Sequence, residues 1–238
     1  MSRGIFVTGT DTGVGKTIVA ATLARLLRMN GINVGVMKPV TSGCRLESGQ
    51  MVSDDALLLC QAAGITYSED VAPYRFREAL APAEAAKIEG LRIDFHHIKA
   101  AYERLSVSHE YIIVEGAGGL MVPLSGGLLV ADLVRELGLP LLVVARPGLG
   151  TINHTVLTCF AAQQMELQVA GVIISGMPLN PGRAEQSAPH QIGPLCGAPV
   201  LGIWPQSTEV DEMDMVDELA AWLDGQPETA IVLRELGL

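Results

Sequence analysis

The amino-acid sequence predicts an α/β fold with a doubly wound, mostly parallel sheet and helices on both faces. Short runs of Val, Ile and Leu alternate along the chain with helical patterns, which is the order that a parallel sheet requires. The runs at residues 111–114 and 141–145 are apolar throughout, as expected of strands buried on both faces. A glycine-rich turn also separates the first strand from the first helix. Sheets of this kind bind ligands beyond the carboxyl ends of their strands, so we expect the functional site there.

Length and composition limit the function classes. The chain has 238 residues, 49% of them hydrophobic, which suits a single α/β domain over residues 1–238. Its net charge is −10 without a cluster of basic residues, so we expect no nucleic-acid surface. Four widely spaced cysteines without a CxxC motif indicate reduced thiols. Because no secretory signal or membrane span of ~20 apolar residues is found, we expect a cytoplasmic protein with no membrane partner.

The start of the chain predicts a phosphate-binding P-loop. A strand at residues 5–7 leads into glycines at positions 9, 13 and 15, then into Lys16, Thr17 and a helix to about residue 29. Glycines let backbone N–H groups surround an anion, and the helix adds the positive end of its dipole. Thr10 stands where the strict motif has glycine, so the loop is a variant. We expect Lys16 to reach the β- and γ-phosphates of a nucleotide and Thr17 to bind Mg²⁺.

The remaining elements follow in alternation, giving about seven strands. We predict strands at residues 33–38, 72–76, 111–114, 141–145, 169–174 and 199–204. Helices are predicted after the caps Ser53 and Asp94, from Pro82, and at residues 130–137, 151–165 and 213–223. The strand ends then bring six segments to one edge of the sheet: residues 9–17, 38–43, 115–119, 146–153, 175–176 and 205–207.

Four charged residues on this edge are open to two interpretations each. Glu115 ends an apolar strand, where P-loop enzymes keep the acid that holds Mg²⁺, although an acid in a turn can also be merely solvated. Asp54 and Asp55 suit the first turn of a helix for dipole reasons alone, but one of them could complete the metal site. Lys38 ends the second strand, and its spacing alone favours a solvated charge.

Five segments taken together resemble the dethiobiotin synthetase family. They are residues 9–17, 38–43, 55–57, 114–119 and 150–154, which occur in the family's order and cover nearly the whole chain. The resemblance implies a homodimeric ligase that uses ATP and Mg²⁺ to act on 7,8-diaminopelargonic acid and CO₂. In the family, a carbamate of the substrate attacks ATP, and the resulting carbamic-phosphoric anhydride closes to a ureido ring.

The resemblance also implies a role for individual residues. Lys16 and Lys38 would be catalytic, stabilising the carbamate and the transferred phosphoryl group. Thr17, Asp55 and Glu115 would hold Mg²⁺. ATP would be bound by Gly13, Val14, Gly15, Lys16, Thr17, Ile18, Asp55, Glu115, Gly116, Ala117, Gly118, Ser175, Gly176, Pro205, Gln206 and Ser207. The diamine would be bound by Thr12, Ser42, Gly118 and Gly119, and by Gly150, Thr151 and Asn153 of the neighbouring subunit.

The chain departs from the family pattern at two places, and two other classes remain as alternatives. Ser175-Gly176 stands where many members have Asn-Asp, and Pro82-Ala83 where members commonly have Pro-His. One alternative is a nucleotide switch that resembles the cell-division and plasmid-partition ATPases, which usually carry a lysine near the start of the loop. The other is a cobyrinate-type amidotransferase, which needs a further glutaminase domain.

Overall fold

A computed structural model describes residues 3–238, and a parallel sheet of six strands forms its centre. The strands, in chain order, are β1 (Arg3–Gly9), β2 (Val34–Met37), β3 (Val40–Ser42), β4 (Arg45–Glu47), β5 (Gln50–Val52), β6 (Tyr74–Phe76), β7 (Tyr111–Gly119), β8 (Pro123–Ser125), β9 (Leu128–Leu129), β10 (Leu141–Ala145), β11 (Val169–Met177) and β12 (Val200–Pro205). The helices are α1 (Lys16–Met29), α2 (Asp54–Ala63), α3 (Pro82–Ile88), α4 (Phe95–Ser108), α5 (Val130–Leu137), α6 (Thr151–Gln164), α7 (Arg183–Cys196), α8 (Glu212–Asp224) and α9 (Thr229–Glu235).

The strand order confirms the predicted doubly wound α/β fold. Across the central sheet the strands run β12-β11-β10-β1-β7-β2, and each neighbouring pair is parallel. The chain first builds the side of β1 that holds β2 and β7, and then the side that holds β10, β11 and β12. Because crossovers between parallel strands are right-handed, winding in two directions puts helices on both faces. The P-loop follows β1, where the winding reverses.

The register of three strands brings distant residues together at the carboxyl edge. Val7 of β1 pairs with Glu115 of β7, and Met37 of β2 pairs with Val114 of β7. Lys38 therefore leaves β2 directly beside Glu115. The interior of the sheet is apolar, and residues 111–114 and 141–145 are fully buried.

The predicted count of about seven strands is wrong for the central sheet, which has six. The strand predicted at residues 72–76 forms as β6, but it pairs in parallel with β3 in a separate two-stranded sheet. The chain leaves the central sheet at Pro39, whose missing N–H suits the end of a ladder. The carbonyl oxygen of Pro39 accepts a hydrogen bond from the N–H of Tyr74 at 3.2 Å, which starts the smaller sheet.

Two helices were not predicted from the sequence. α7 contains Pro189 and Pro194, residues that usually interrupt a helix, yet its residues Ala188, Ile192 and Cys196 are buried against the rest of the fold. Tertiary packing therefore outweighs local propensity here. α9 is a short helix of seven residues that packs near β12. Within residues 3–238, no helix combines the length and apolar character needed to cross a bilayer.

Candidate active site

The P-loop joins β1 to α1 with a backbone that only glycine adopts readily. Gly13 and Gly15 have φ angles of 72° and 89°, in the left-handed region. A Cβ atom on Gly15 would also lie 2.9 Å from the Ser175 hydroxyl oxygen. Gly15 caps α1 without a side-chain hydrogen bond, and the first turn of α1 carries no acidic residue. The first N–H groups of α1 thus remain available to an anion.

Lys16 is buried at the start of α1 and its side chain folds back over the loop. Its ammonium nitrogen donates a hydrogen bond to the Asp11 carbonyl oxygen at 3.1 Å. Burial lowers the pKa of Lys16 and outweighs the opposing effect of Glu115. Lysine in this position places a positive charge inside the curve of the P-loop.

Lys38 lies between two carboxylates at the edge of the sheet. Its ammonium nitrogen is 2.6 Å from Glu115 Oε1 and 2.8 Å from Asp55 Oδ2. The side chain of Glu115 is fully buried and that of Lys38 is 5% exposed, whereas that of Asp55 is 45% exposed. The interpretation of Lys38 as a solvated charge, which its spacing favoured, is therefore wrong. Glu115 is likewise not a solvated acid in a turn.

Burial and charge shift the pKa values of this cluster in different directions. Burial opposes protonation of Lys38, but Glu115 and Asp55 outweigh it and raise the pKa of Lys38. Burial raises the pKa of Glu115 despite the neighbouring Lys38. Burial also acts to raise the pKa of Asp55, but Lys38 prevails and lowers it. Lys38 is therefore held as an ammonium ion at neutral pH.

The residues around Glu115 have the chemistry of a magnesium site. The Thr17 hydroxyl donates a hydrogen bond to Glu115 Oε1 at 2.9 Å, so the hydroxyl and both carboxylates of the cluster converge. The second oxygen of Glu115, Oε2, is buried without a hydrogen-bond partner. Among residues 3–238, no group of three or more His, Cys, Asp or Glu side chains surrounds a metal position. Nucleotide-bound Mg²⁺ needs only one or two carboxylates because it retains water and phosphate ligands, so the oxygens present fit it.

The two acids at the start of α2 have different surroundings. Ser53 caps this helix by accepting a hydrogen bond from the N–H of Ala56, as predicted. Asp55 faces Lys38, whereas Asp54 is exposed and accepts a hydrogen bond from Arg45 at 2.7 Å. Only Asp55 of the pair therefore reaches the cluster.

These groups open into a cleft of about 810 Å³. Of the predicted site residues, its lining includes Thr12, Gly13, Gly15, Lys16, Thr17, Ile18, Lys38, Ser42, Asp55, Glu115, Ala117 and Gly118. Sequence reasoning missed three parts of the lining, the apolar segment at residues 79–82, Val122 and Glu212. Glu212 is the first residue of α8, directly after the loop that follows β12. The rule that ligands lie beyond strand ends could therefore have indicated it.

Several predicted nucleotide-binding residues lie outside the lining of this cleft. Ser175 is beside Gly15 at the end of β11, and the following Gly176 has a φ angle of 81° with open space at its Cβ position. Gln206 follows β12, and its N–H donates to the carbonyl oxygen of Met177 at 2.7 Å. The Ser207 hydroxyl is hydrogen-bonded to Glu218. Val14, Gly116 and Pro205 are likewise absent from the lining.

The predicted substrate residues at the start of α6 are also outside the cleft lining. Gly150, Thr151 and Asn153 form the amino-terminal end of this helix, and the hydroxyl of Thr151 is buried without a partner. Gly119 lines a smaller cleft of about 280 Å³ between the P-loop and α6. Around this region the side chains of Leu149, Leu157 and Phe160 and the neighbouring Met121 are exposed.

A family model and several proteins of known name are similar to the chain in sequence. A family model described as an AAA domain matches residues 3–214. A protein of Bacillus licheniformis named ATP-dependent dethiobiotin synthetase is 46% identical over 86% of each chain. Proteins of the same name from Bacillus subtilis and Thermodesulfovibrio yellowstonii are 44% and 40% identical, over 87% and 92% of this chain and 89% and 95% of theirs.

Solved structures resemble the chain at much lower sequence identity. A ParA family ATPase from Chlorobium tepidum aligns over 100% of both chains with a TM-score of 0.58 and 16% identity. The MinC:MinD cell division complex of Aquifex aeolicus contains a chain with a TM-score of 0.58 and 17% identity, covering 94% of this chain and 97% of that one. Likenesses at this identity describe the fold alone.

Proposed function

The chain belongs to the dethiobiotin synthetase family of ATP-dependent ligases, and from this premise we propose that it closes the ureido ring of dethiobiotin. Its substrates would be 7,8-diaminopelargonic acid, CO₂ or bicarbonate, and ATP. One structural observation supports this proposal independently of the family assignment. Lys16 and Lys38 are both buried in the same cleft, next to Thr17, Asp55 and Glu115. Two buried ammonium groups suit a reaction between two anions, a carbamate and a nucleoside triphosphate.

The P-loop would position the phosphates of ATP. The free N–H groups at the start of α1 and the Lys16 ammonium group surround the place that the β- and γ-phosphates take in P-loop proteins. Lys16 would exchange its present hydrogen bond to the Asp11 carbonyl oxygen for phosphate oxygens. Because it is buried, its charge would act on the phosphoryl group with little screening by water.

Mg²⁺ would be held by Thr17, Asp55 and Glu115, whose side chains already converge. When bound with ATP, the ion would neutralise charge on the β- and γ-phosphates. The buried, unpartnered Oε2 atom of Glu115 supports a ligand at this place. Asp54 is not among the proposed ligands, because it is paired with Arg45 at the surface.

The two lysines and the neighbouring polar groups would then assist the ligation. One amine of the substrate, converted to a carbamate by CO₂, attacks the γ-phosphorus through its oxygen and ADP leaves. The second amine attacks the carbonyl carbon of the anhydride, and phosphate leaves as the ring closes. Lys38 and Lys16 would stabilise the anionic charge in both steps, and Thr12, Ser42 and Gly118 line the cleft where the carbamate would lie.

The tail carboxylate of the diamine would be bound by a second subunit. Gly150, Thr151 and Asn153 lie at a helix start, which suits an anion, but they do not line the cleft of their own subunit. Leu149 is 83% exposed and Phe160 57% exposed on the same helix region, an apolar surface that a homodimer would cover. We therefore place two shared active sites at the interface of a homodimer.

The adenine ring and ribose would lie beyond Gly15, at the ends of β11 and β12. Ser175, Gly176 and residues 205–207 occupy this edge, and the remaining predicted loop residues Gly116 and Gly119 lie near the P-loop end of β7. The whole chain would form one catalytic domain, and the enzyme would act in the cytoplasm.

An isotope assay tests the proposed function directly. Purified protein is incubated with the diamine, labelled bicarbonate, ATP and Mg²⁺, and label in an acid-stable product is counted. We expect incorporation that depends on ATP and on the diamine, together with equimolar phosphate release. Lys16→Gln is the matched control and should lose ~10²–10³ in rate, as for the removal of one charge-stabilising group. ATP hydrolysis without incorporation of label would contradict the proposal and favour a nucleotide switch.

A further inference from the structure

The site contains a cation of its own at the place where a divalent ion would bind. The ammonium nitrogen of Lys38 is 2.6 Å from Glu115 Oε1 and 2.8 Å from Asp55 Oδ2. Thr17 also contacts Glu115 through the same oxygen, Oε1, at 2.9 Å. One carboxylate oxygen therefore accepts hydrogen bonds from both the lysine and the threonine of the proposed metal site.

A divalent ion cannot share this position with the ammonium group. Mg²⁺ binds oxygen at about 2.0–2.1 Å in a strict octahedral arrangement. Thr17 and Lys38 both contact Oε1 of Glu115, so an ion held by Thr17 and this oxygen would take the place of the Lys38 ammonium group. A divalent ion and the Lys38 ammonium group bound to the same oxygen would repel each other strongly in this buried site, because little water separates them.

Lys16 is not placed to compete in the same way. Its ammonium nitrogen donates to the Asp11 carbonyl oxygen at 3.1 Å and contacts neither carboxylate within salt-bridge distance. Both lysines carry the same charge in the same cleft, and both are almost fully buried. They therefore form a matched pair that differs in contact with the metal-binding oxygens.

We propose that Lys38 is the resident counter-ion of the metal site, and that metal binding displaces its ammonium group into the cleft to receive the anionic substrate. The second half of this statement rests on the proposed function. In the metal-free protein Lys38 neutralises Glu115 and Asp55, and it becomes free for a carbamate when a divalent ion takes its place. Metal and anionic substrate then bind cooperatively, and by linkage each strengthens the other by the same factor.

Binding of Mn²⁺ alone, without nucleotide, tests the exchange. The free ion is measured by electron paramagnetic resonance during titration of the wild type, Lys38→Met and Lys16→Met. Removal of the competing ammonium group should tighten Mn²⁺ binding about tenfold in Lys38→Met, since hydrogen bonds to charged groups contribute on that scale. Lys16→Met should tighten it less than about threefold, because only a longer-range repulsion is lost.

Three results would overturn the exchange. They are unchanged Mn²⁺ affinity in Lys38→Met, weaker affinity in Lys38→Met, and equal tightening in both variants. If Lys38→Met does not fold, Lys38→Gln is compared with Lys16→Gln, because glutamine removes the charge while its amide can still donate a hydrogen bond. The assay uses no diamine, so failure of the exchange leaves the bicarbonate result untouched, and failure of bicarbonate incorporation leaves the Mn²⁺ result standing.

Discussion

Glu115→Gln is expected to destabilise the metal-free protein strongly. Glu115 lies in the middle of β7 with a fully buried side chain, and its Oε1 atom accepts hydrogen bonds from Lys38 and Thr17. Glutamine has nearly the same shape and can keep one acceptor oxygen there. It carries no charge, however, so the buried Lys38 ammonium group loses its shorter ion pair.

The size of the effect follows from the surroundings of Lys38. Removing one partner of a buried ion pair costs about 3–5 kcal/mol. Asp55 remains 2.8 Å from Lys38 and its side chain is 45% exposed, so part of the compensation survives. We therefore take the lower end, about 3 kcal/mol, which lowers the melting temperature of a protein of this size by roughly 6–12 °C.

Thermal unfolding in the presence of EDTA measures this difference. Asp55→Asn is the control, because removal of a partly exposed charge should cost no more than about 1 kcal/mol, or roughly 2–4 °C. Mutation of Glu115 should thus have the larger effect, although both acids contact the same lysine. A Glu115→Gln protein that melts with the wild type, or an Asp55→Asn protein that loses as much, would refute the reasoning.

Three further predictions concern reactivity, subunit sharing and base recognition. Acetic anhydride reacts only with a neutral amine. At mildly alkaline pH it should therefore modify Lys16, whose pKa is lowered, before Lys38, whose pKa is raised. Peptide mass spectrometry that finds Lys38 modified first would contradict these directions of the two pKa shifts. An Asn153→Ala chain mixed with a Lys16→Gln chain should recover activity, because one hybrid site is intact, whereas no recovery after confirmed subunit exchange would show that each subunit builds its own site. Ser175 offers one short hydroxyl where an asparagine amide could pair with adenine, so kcat/KM should favour ATP over CTP and GTP only weakly. Ser175→Asn should increase that preference by ~1–3 kcal/mol. A strong preference for ATP that the substitution leaves unchanged would place base recognition elsewhere.

Local features of the structure could be predicted because their causes are local. Gly13 and Gly15 adopt the left-handed backbone of the P-loop, and the next residue begins α1 as predicted. Ser53 and Asp94 cap their helices through hydrogen bonds to N–H groups three and two residues later. A cap or a glycine turn involves neighbours in sequence, so the residue types alone favour one conformation.

The failures of prediction depended on partners that are distant in sequence. The position of Lys38 in the sequence favoured a solvated lysine. In the fold it is buried and forms an ion pair with Glu115, which is 77 positions away. Asp54 and Asp55 could not be separated by sequence, because the choice depends on which one faces Lys38 across the cleft. α7 forms despite Pro189 and Pro194, since burial of its apolar side favours the helix.

The sequence by itself determined the alternation of strands and helices, the P-loop and the edge of the sheet at which the cleft lies, because apolar periodicity and glycine positions specify these directly. The tertiary structure decided which charges meet at that edge. Because β2 lies beside β7 in the central sheet, Lys38 meets Glu115, and α2 brings Asp55 to the same lysine. Packing over the whole fold sets this arrangement. Burial then turns three ordinary side chains into one coupled cluster, since charges interact strongly only where water is excluded.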